Sequence, residues 1–247
     1  WIMSQNTLLL LGATSDIGIS IAHEFAMNGF NIQLASRNSE SLIKDCSDIQ
    51  IRYGVNVTVH EFDALNFYSH EMFINSLPLM PDLVVSAIGL LGNQMESEND
   101  FKKALLVMKT NYLGLASILG LFANYFVERG HGTLIGISSV AGDRGRASNY
   151  IYGSSKAGLS NFLSGLRNRL NRYGIHVITV KPGYVMTKMT SNLDLPKLLT
   201  ASTKQVSRSI YRAYKLKKDI VYIMPIWRFI MFIIKNIPEK IFKKINL

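Results

Sequence analysis

TLLLLGATSDIGISIAHEF, residues 7–25, is the stretch on which the fold class turns. Thr7 to Leu11 is a continuous apolar run and reads as a buried strand, after which Ile17, Ile21, Ala22 and Phe25 recur at helical spacing. A buried strand, a glycine turn and a helix N-terminus, in that order, make a place where backbone N–H groups and the helix dipole meet a pyrophosphate. Gly12 permits the tight turn and Gly18 the close approach of helix to strand.

Outward from that unit the alternation repeats. Further strands are expected at Asn31–Ala35, Val55–His60, Asp82–Ala87, Thr133–Ile137 and Ile175–Val180, with a short last one at Val221–Ile223. Helices are expected from Ser39 to about Arg52, from Phe101 to Glu128, and from the region of Tyr152 to Tyr173. Residues 188–215 are expected to be helical and to cover a pocket. This pattern, without repeats or a linker, predicts an α/β chain: one doubly wound parallel sheet of about seven strands flanked by helices. A length of 247 residues, 48% of them apolar, suits one such domain.

The second decisive stretch is GTLIGISSVAGDRGRASNYIYGSSK, residues 132–156. It reads as a strand, a polar glycine-rich loop and the first turns of a helix carrying Tyr152 and Lys156. Four residues apart on a helix means one face, so the Lys ammonium can lie near the phenol ring. An adjacent ammonium favours phenolate, which predicts a Tyr152 able to exchange a proton with a substrate oxygen near neutral pH. Ser139, at the end of the strand, is placed to bond the same oxygen, a pairing suited to carbonyl/alcohol interconversion. Tyr-x-x-x-Lys by itself is weak, because the chain also has Tyr184/Lys188, Tyr211/Lys215 and Tyr214/Lys218. Only Tyr152 follows a strand-ending Ser-Ser and a glycine-rich loop.

Other candidates sit at strand ends. Arg37 follows the second strand where an acidic residue would hold ribose hydroxyls, so it favours a 2′-phosphate unless it simply faces solvent. Asp63 stands where a loop reaches an adenine ring, or else caps a helix. Ala87, Gly89 and Gly92 lie in a loop beside the expected nicotinamide pocket. Asn111, inside a helix, either bonds the preceding backbone and kinks it or is a satisfied core amide. Thr187 is placed for the carboxamide end of a cofactor.

In order and spacing these motifs resemble the short-chain dehydrogenase/reductase family over residues 7 to about 190: Gly12–Gly18, Asp63, Asn111-Tyr-Leu-Gly, Ser139, Tyr152-x3-Lys156 and Pro182-Gly183-x-Val185-x-Thr187. The resemblance implies a Rossmann-type fold and an NAD(P)(H)-dependent oxidoreductase that interconverts a ketone and a secondary alcohol. It implies Ser139, Tyr152 and Lys156 as the catalytic group, with Asn111 completing a proton relay. It also implies a cofactor site made by Gly12, Thr14, Ser15, Asp16, Ile17, Gly18, Arg37, Asp63, Ala87, Gly89, Tyr152, Lys156, Pro182, Gly183, Val185 and Thr187. NADP(H) is favoured, with NAD(H) the alternative. Two departures stand out: Asp16 replaces the middle glycine of the usual phosphate motif, and Ser86-Ala87-Ile88-Gly89 replaces Asn-Asn-Ala-Gly. Both are similar to a branch that includes the keto-reductase of mycobacterial decaprenylphosphoryl-arabinose synthesis, whose substrate is a 2-keto-sugar on a polyprenyl phosphate. A keto-sugar, free or lipid-linked, is then the expected substrate. A soluble small ketone or 3-ketoacyl group, or a cofactor-sensing protein without turnover, are the competing readings. Family resemblance implies a homo-oligomer through the helices around 101–128 and 150–173.

The net charge of +10 is entirely C-terminal, since residues 197–247 hold twelve Lys and Arg against Asp219 and Glu239. That localisation argues against a nucleic-acid binder and for a specialised tail. The chain divides into a catalytic domain, 3–224, and a basic amphipathic extension, 225–247. Ile226, Phe229, Ile230, Ile233, Ile234 and Ile237 are expected on one face with Arg228 and Lys235 off it, and Trp227 at an interface. The apolar run is too short to span a bilayer. It suits an anionic membrane surface, which predicts that a chain ending at Met224 stays folded; a dimerisation or core-capping helix is the alternative. The lone Cys46 points to a reducing cytoplasmic compartment, at the inner membrane surface if the tail binds lipid. No signal-peptide pattern opens the sequence, and Met3 reads as the native start. No metal site is expected.

Overall fold

The computed structural model describes residues 6–191 and 194–245. Its strands are β1 (Thr7–Leu11), β2 (Asn31–Ser36), β3 (Val57–Glu61), β4 (Leu83–Ser86), β5 (Thr133–Ile137), β6 (His176–Lys181), β7 (Tyr184–Val185), β8 (Thr200–Ala201) and β9 (Ile220–Tyr222). Seven of them form one sheet in the order β3-β2-β1-β4-β5-β6-β9, with every pairing parallel. β7 and β8 pair separately. The helices are α1 (Asp16–Met27), α2 (Ile43–Tyr53), α3 (His70–Ser76), α4 (Gln94–Asn99), α5 (Phe101–Met108), α6 (Gly114–Arg129), α7 (Tyr150–Asn171), α8 (Thr203–Lys215), α9 (Ile226–Asn236) and α10 (Glu239–Phe242).

The apolar run of β1 explains the layering. Side chains alternate across a strand, so Leu8 and Leu10 enter one core with Ile21 and Phe25 of α1, Ile49 of α2 and Ile210 of α8. Leu9 and Leu11 enter the other with Phe73 of α3, Phe122 of α6 and Leu163 of α7. All four leucines are fully buried, each worth about 1.5–3 kcal/mol. Phe101–Arg129 is the one stretch among the described residues long and apolar enough to cross a membrane, but its apolar side is this second core. β1 has β2 on one side and β4 on the other, so the winding reverses there and opens a crevice at the carboxyl ends of the strands.

The structure departs from the expected helix over 188–215. Helix α8 begins only at Thr203, where Ser202 and Gln205 form a reciprocal capping box. Ahead of it Pro196 breaks helical continuity, and the chain makes short turns at Lys188–Thr190 and Lys197–Leu199 around the β7–β8 ladder. Residues 192 and 193 of that span lie outside the described residues. Helix α2 starts late because Asn38 caps a tight turn, Ser39–Leu42, in front of it. Helices α3 and α4 are additions; α4 is announced by the Asn93 cap on Glu96 N–H.

Segment 226–245 packs differently from the expected face. Trp227 and Met231 are buried, with Ile230 and Ile234 half-buried beside them, in a small core with Val140, Leu199 and Tyr222. Trp227 is 4% exposed and its indole N–H donates to Leu199 O at 3.0 Å, so it does not face an interface. Ile226, Phe229 and Ile233 point outward instead. The predicted stripe is split because this helix is apolar on nearly every side, and Gly183 selects its inner face: any side chain there would run into the Trp227 ring.

Candidate active site

The glycine turn is built as the sequence requires. Gly12 has φ +85, and a Cβ on it would lie 2.8 Å from the side chain of Ile88. Ser15 caps α1, accepting from Gly18 N at 3.0 Å while its hydroxyl donates to Gly12 O at 2.9 Å. A Cβ on Gly18 would come within 2.6 Å of Gly12 O, so only glycine lets the helix start so close to β1. With Gly18 N–H engaged, the first-turn N–H groups of Asp16 and Ile17 have no intrahelical acceptor and remain for an anion.

Asp16 has a use of its own. Its carboxylate accepts from Lys188 N at 2.6 Å, tying the start of α1 to the loop after β7. Thr187, in the same loop, is committed to a capping box with Thr190. Pro182 O accepts from Val140 N at 2.9 Å, and Val185 is buried, which seats the loop at the crevice. Arg37 is exposed at the end of β2, with no hydrogen bond or ion pair among the described residues. Asp63 accepts from Leu65 N at 3.0 Å, closing a local turn rather than capping a helix, since Asn66 precedes the helical turn Phe67–Ser69.

Two further glycines assemble the chemistry. Ser139 caps the turn Val140–Gly142, accepting from Ala141 N at 3.1 Å. A Cβ on Gly142 would be 2.7 Å from Ala157 N, and one on Gly153 would be 2.8 Å from Ala141 O. Their absence lets the start of α7 press against this turn and brings Tyr152 to Ser139. Lys156 is 3% exposed, donates from Nζ to Ile137 O at 3.0 Å, and lies 5.7 Å from the Tyr152 ring centroid.

The electrostatics differ from the expected phenolate. Burial pushes Tyr152 up to about 12, with Ser139 pulling weakly the other way. Burial also lowers Lys156 to about 8. Desolvation disfavours both charged forms and outweighs attraction between them, since the ammonium bonds a carbonyl rather than the phenol oxygen. The resting Tyr152 is therefore a phenol, a proton donor. Between about pH 8 and 10.5 folded Lys156 binds fewer protons than the unfolded chain, so its contribution to stability rises with pH across that window. Wild type should accordingly gain stability relative to Lys156→Met over that range in urea titrations; a pH-independent difference would contradict the burial.

Asn111 satisfies both of its alternatives at once. The helix widens into a π turn at Lys109–Leu113, and Asn111 donates back to Val107 O at 2.8 Å. It also donates to Leu90 O at 2.7 Å and accepts from Leu90 N at 3.1 Å, clamping the loop after β4. A Cβ on Gly89 would sit 3.4 Å from Asn111 Oδ1 and 3.6 Å from Lys156 Nζ, so this glycine lies where the two side chains converge.

One group of residues had no sequence signal. Asp143, on the loop between Ser139 and Tyr152, has a side chain only 2% exposed, paired with Lys181 and bonded by Tyr222 Oη at 2.6 Å. Burial first, and then the Asp143 carboxylate, raise the Tyr222 pKa. Next to it Arg144 donates to Ile234 O, Lys235 O and Ile237 O at 3.1, 3.0 and 2.7 Å and stacks 3.9 Å over the Phe242 ring. The loop that carries Ser139 is thus held from β6, β9 and the C-terminal helices.

Comparison with known proteins agrees with this architecture. The family described as short chain dehydrogenase matches residues 6–197. The chain is 34% identical over 242 residues to an uncharacterized oxidoreductase of Streptomyces coelicolor, covering 97% of this chain and 95% of that one. It is 33% identical over 219 residues to an uncharacterized oxidoreductase of Mycobacterium tuberculosis, covering 87% of each. A short-chain dehydrogenase from Sphingobium yanoikuyae, solved in complex with NADPH, has the same fold with a TM-score of 0.82 at 20% identity, over 92% of this chain and 91% of that one.

Proposed function

We propose a keto-reductase role, with NADP(H) as hydride carrier, for this chain, an oxidoreductase that belongs to the short-chain dehydrogenase/reductase family. The observation that carries it is the convergence of Ser139 and Tyr152 on one side of a crevice, with Lys156 and Asn111 meeting at Gly89. A bound nicotinamide would supply the hydride for a carbonyl carbon, while the chain's own residues manage the oxygen and the proton. Tyr152, neutral at rest, gives its Oη proton to the carbonyl oxygen as negative charge develops there, and the Ser139 hydroxyl donates a hydrogen bond to the same atom. Lys156, largely protonated at neutral pH, stabilises the phenolate left behind until water returns a proton. Asn111 acts as a positioning residue through Leu90.

The residues present fit a phosphorylated dinucleotide. The open turn of α1 suits its pyrophosphate, and the guanidinium of Arg37, exposed and without a partner among the described residues, suits a 2′-phosphate. Arg37→Ala should weaken NADPH binding by about 1.5–3 kcal/mol and leave NADH nearly unchanged. Equal affinity of the wild type for both cofactors, in fluorescence titration, would overturn the preference.

The finer substrate assignment is a keto-sugar, carried on a lipid phosphate and reached at a membrane surface through segment 225–247. Met186, Met189 and Leu198, exposed on the loop next to Pro182, support an apolar carrier near the crevice. The groove between α3, α6 and α7, lined by Phe67, Tyr68, Leu121 and Arg169, supports association of copies there. NADPH oxidation with a panel of ketones tests the role. Turnover of small soluble ketones or 3-ketoacyl thioesters alone would move the substrate class to those, and no turnover with any ketone would favour a cofactor sensor.

A further inference from the structure

We propose that the outer face of α9 and α10 is a docking surface for an anionic lipid bilayer, held in a fixed attitude beside the crevice. Helix α9 has two apolar sides. The inner one is spent on Val140, Leu199 and Tyr222. The outer one leaves Ile226 46%, Phe229 62%, Phe232 68% and Ile233 48% exposed, continued past Pro238 by Ile241 at 56% and Ile245 at 39%. Burial of Trp227 and Met231 accounts for the fold of the helix, so the exposed set answers to something outside the chain.

Charge selects the occupant. Arg228, Lys235 and Lys240 are exposed on the same two helices, and Lys243 and Lys244 on the turn directly after α10. The one acidic residue among them, Glu239, is taken by Arg144 at 2.7 Å. Phe229 and Phe232 lie in a groove of about 670 Å³ with Arg228 and Lys235 on its walls. A second copy meeting this face about a two-fold axis would set these cations against their own equivalents. A lipid surface with negative headgroups instead pairs them while the Phe and Ile side chains enter the acyl boundary.

The surface is also pre-set. Arg144 fastens the C-terminal carbonyls of α9 and stacks on Phe242 of α10, so both helices are anchored to the loop that carries Ser139. Trp227 rests on Gly183, directly after Pro182. Docking through the outer face therefore brings the bilayer beside the crevice. This refines the membrane contact proposed above and is independent of the proton chemistry assigned to Tyr152.

The test is sedimentation of the full chain with phosphatidylglycerol-containing and pure phosphatidylcholine vesicles. Wild type should partition at least about tenfold more strongly to the anionic vesicles. F229S/F232S and K235E/K240E/K243E/K244E should each lose that partition about tenfold or more, with unchanged circular dichroism and unchanged NADPH oxidation with a soluble ketone. Equal binding to both vesicle types, no binding, or variants that sediment like wild type would overturn the proposal, as would variants that turn an oligomer into monomers in light scattering. Vesicle binding without turnover of any ketone would count against the reductase reading alone.

Discussion

Tyr152→Phe is expected to lower kcat by about a hundredfold or more while leaving cofactor affinity close to wild type. The Tyr152 hydroxyl lies beside Ser139 and Lys156, and the four Tyr-x-x-x-Lys pairs separate cleanly in space. Tyr184 lies on β7 rather than a helix and stacks edge-on against Trp227, with ring centroids 5.3 Å apart. Tyr211 and Tyr214 lie on α8, packed against Phe25 at 5.2 and 5.9 Å in the core beneath α1. Tyr211→Phe removes a hydroxyl with no hydrogen bond among the described residues and should be silent. Burial pushes Tyr152 up to about 12, so deprotonation of this group should not lower the wild-type rate at neutral or mildly alkaline pH. Retention of wild-type kcat in Tyr152→Phe, in steady-state NADPH oxidation, would remove the residue from the role of proton donor.

The parts legible in the sequence were those set by local backbone geometry. Gly12 and Gly18 announce a turn because their Cβ atoms have no room, and Tyr152 and Lys156 share a face because a helix repeats every 3.6 residues. The charge state of that pair was not legible. It depends on how deeply Gly142 and Gly153 let α7 settle, a long-range packing fact that spacing does not encode. Asp143 and Arg144 were invisible for the same reason, since their partners lie 38 to 95 residues away. Asp16 looked like a defect in the phosphate motif, yet its carboxylate meets the backbone of Lys188, 172 residues on. Residues 188–191 and 194–202 differ from the helix that apolar spacing suggests, because the stop at Pro196 and the start signal at Ser202 outweigh that spacing.

Trp227→Ala should destabilise the fold by about 3–5 kcal/mol, the range for truncating a buried aromatic side chain. The indole is 4% exposed, fills the space above Gly183, packs with Val140 and Met231, and gives its N–H to Leu199 O. Its loss leaves a cavity and an unpaired carbonyl next to the turn capped by Ser139, so activity should fall along with stability. By the same packing a chain ending at Met224 should unfold more readily, not persist as a soluble catalytic core: it would strip Trp227 and Met231 from Val140 and leave Arg144 without its three carbonyl partners. Phe229→Ala, two residues along the helix but 62% exposed, is the matched control and should change stability by no more than about 0.5 kcal/mol. Urea unfolding of the three proteins against wild type decides it. A Trp227→Ala midpoint within error of wild type would mean that α9 is a detachable extension whose inner contacts contribute little, and the Ser139 loop would then be held from β6 and β9, through Lys181 and Tyr222 on Asp143 and Pro182 on Val140.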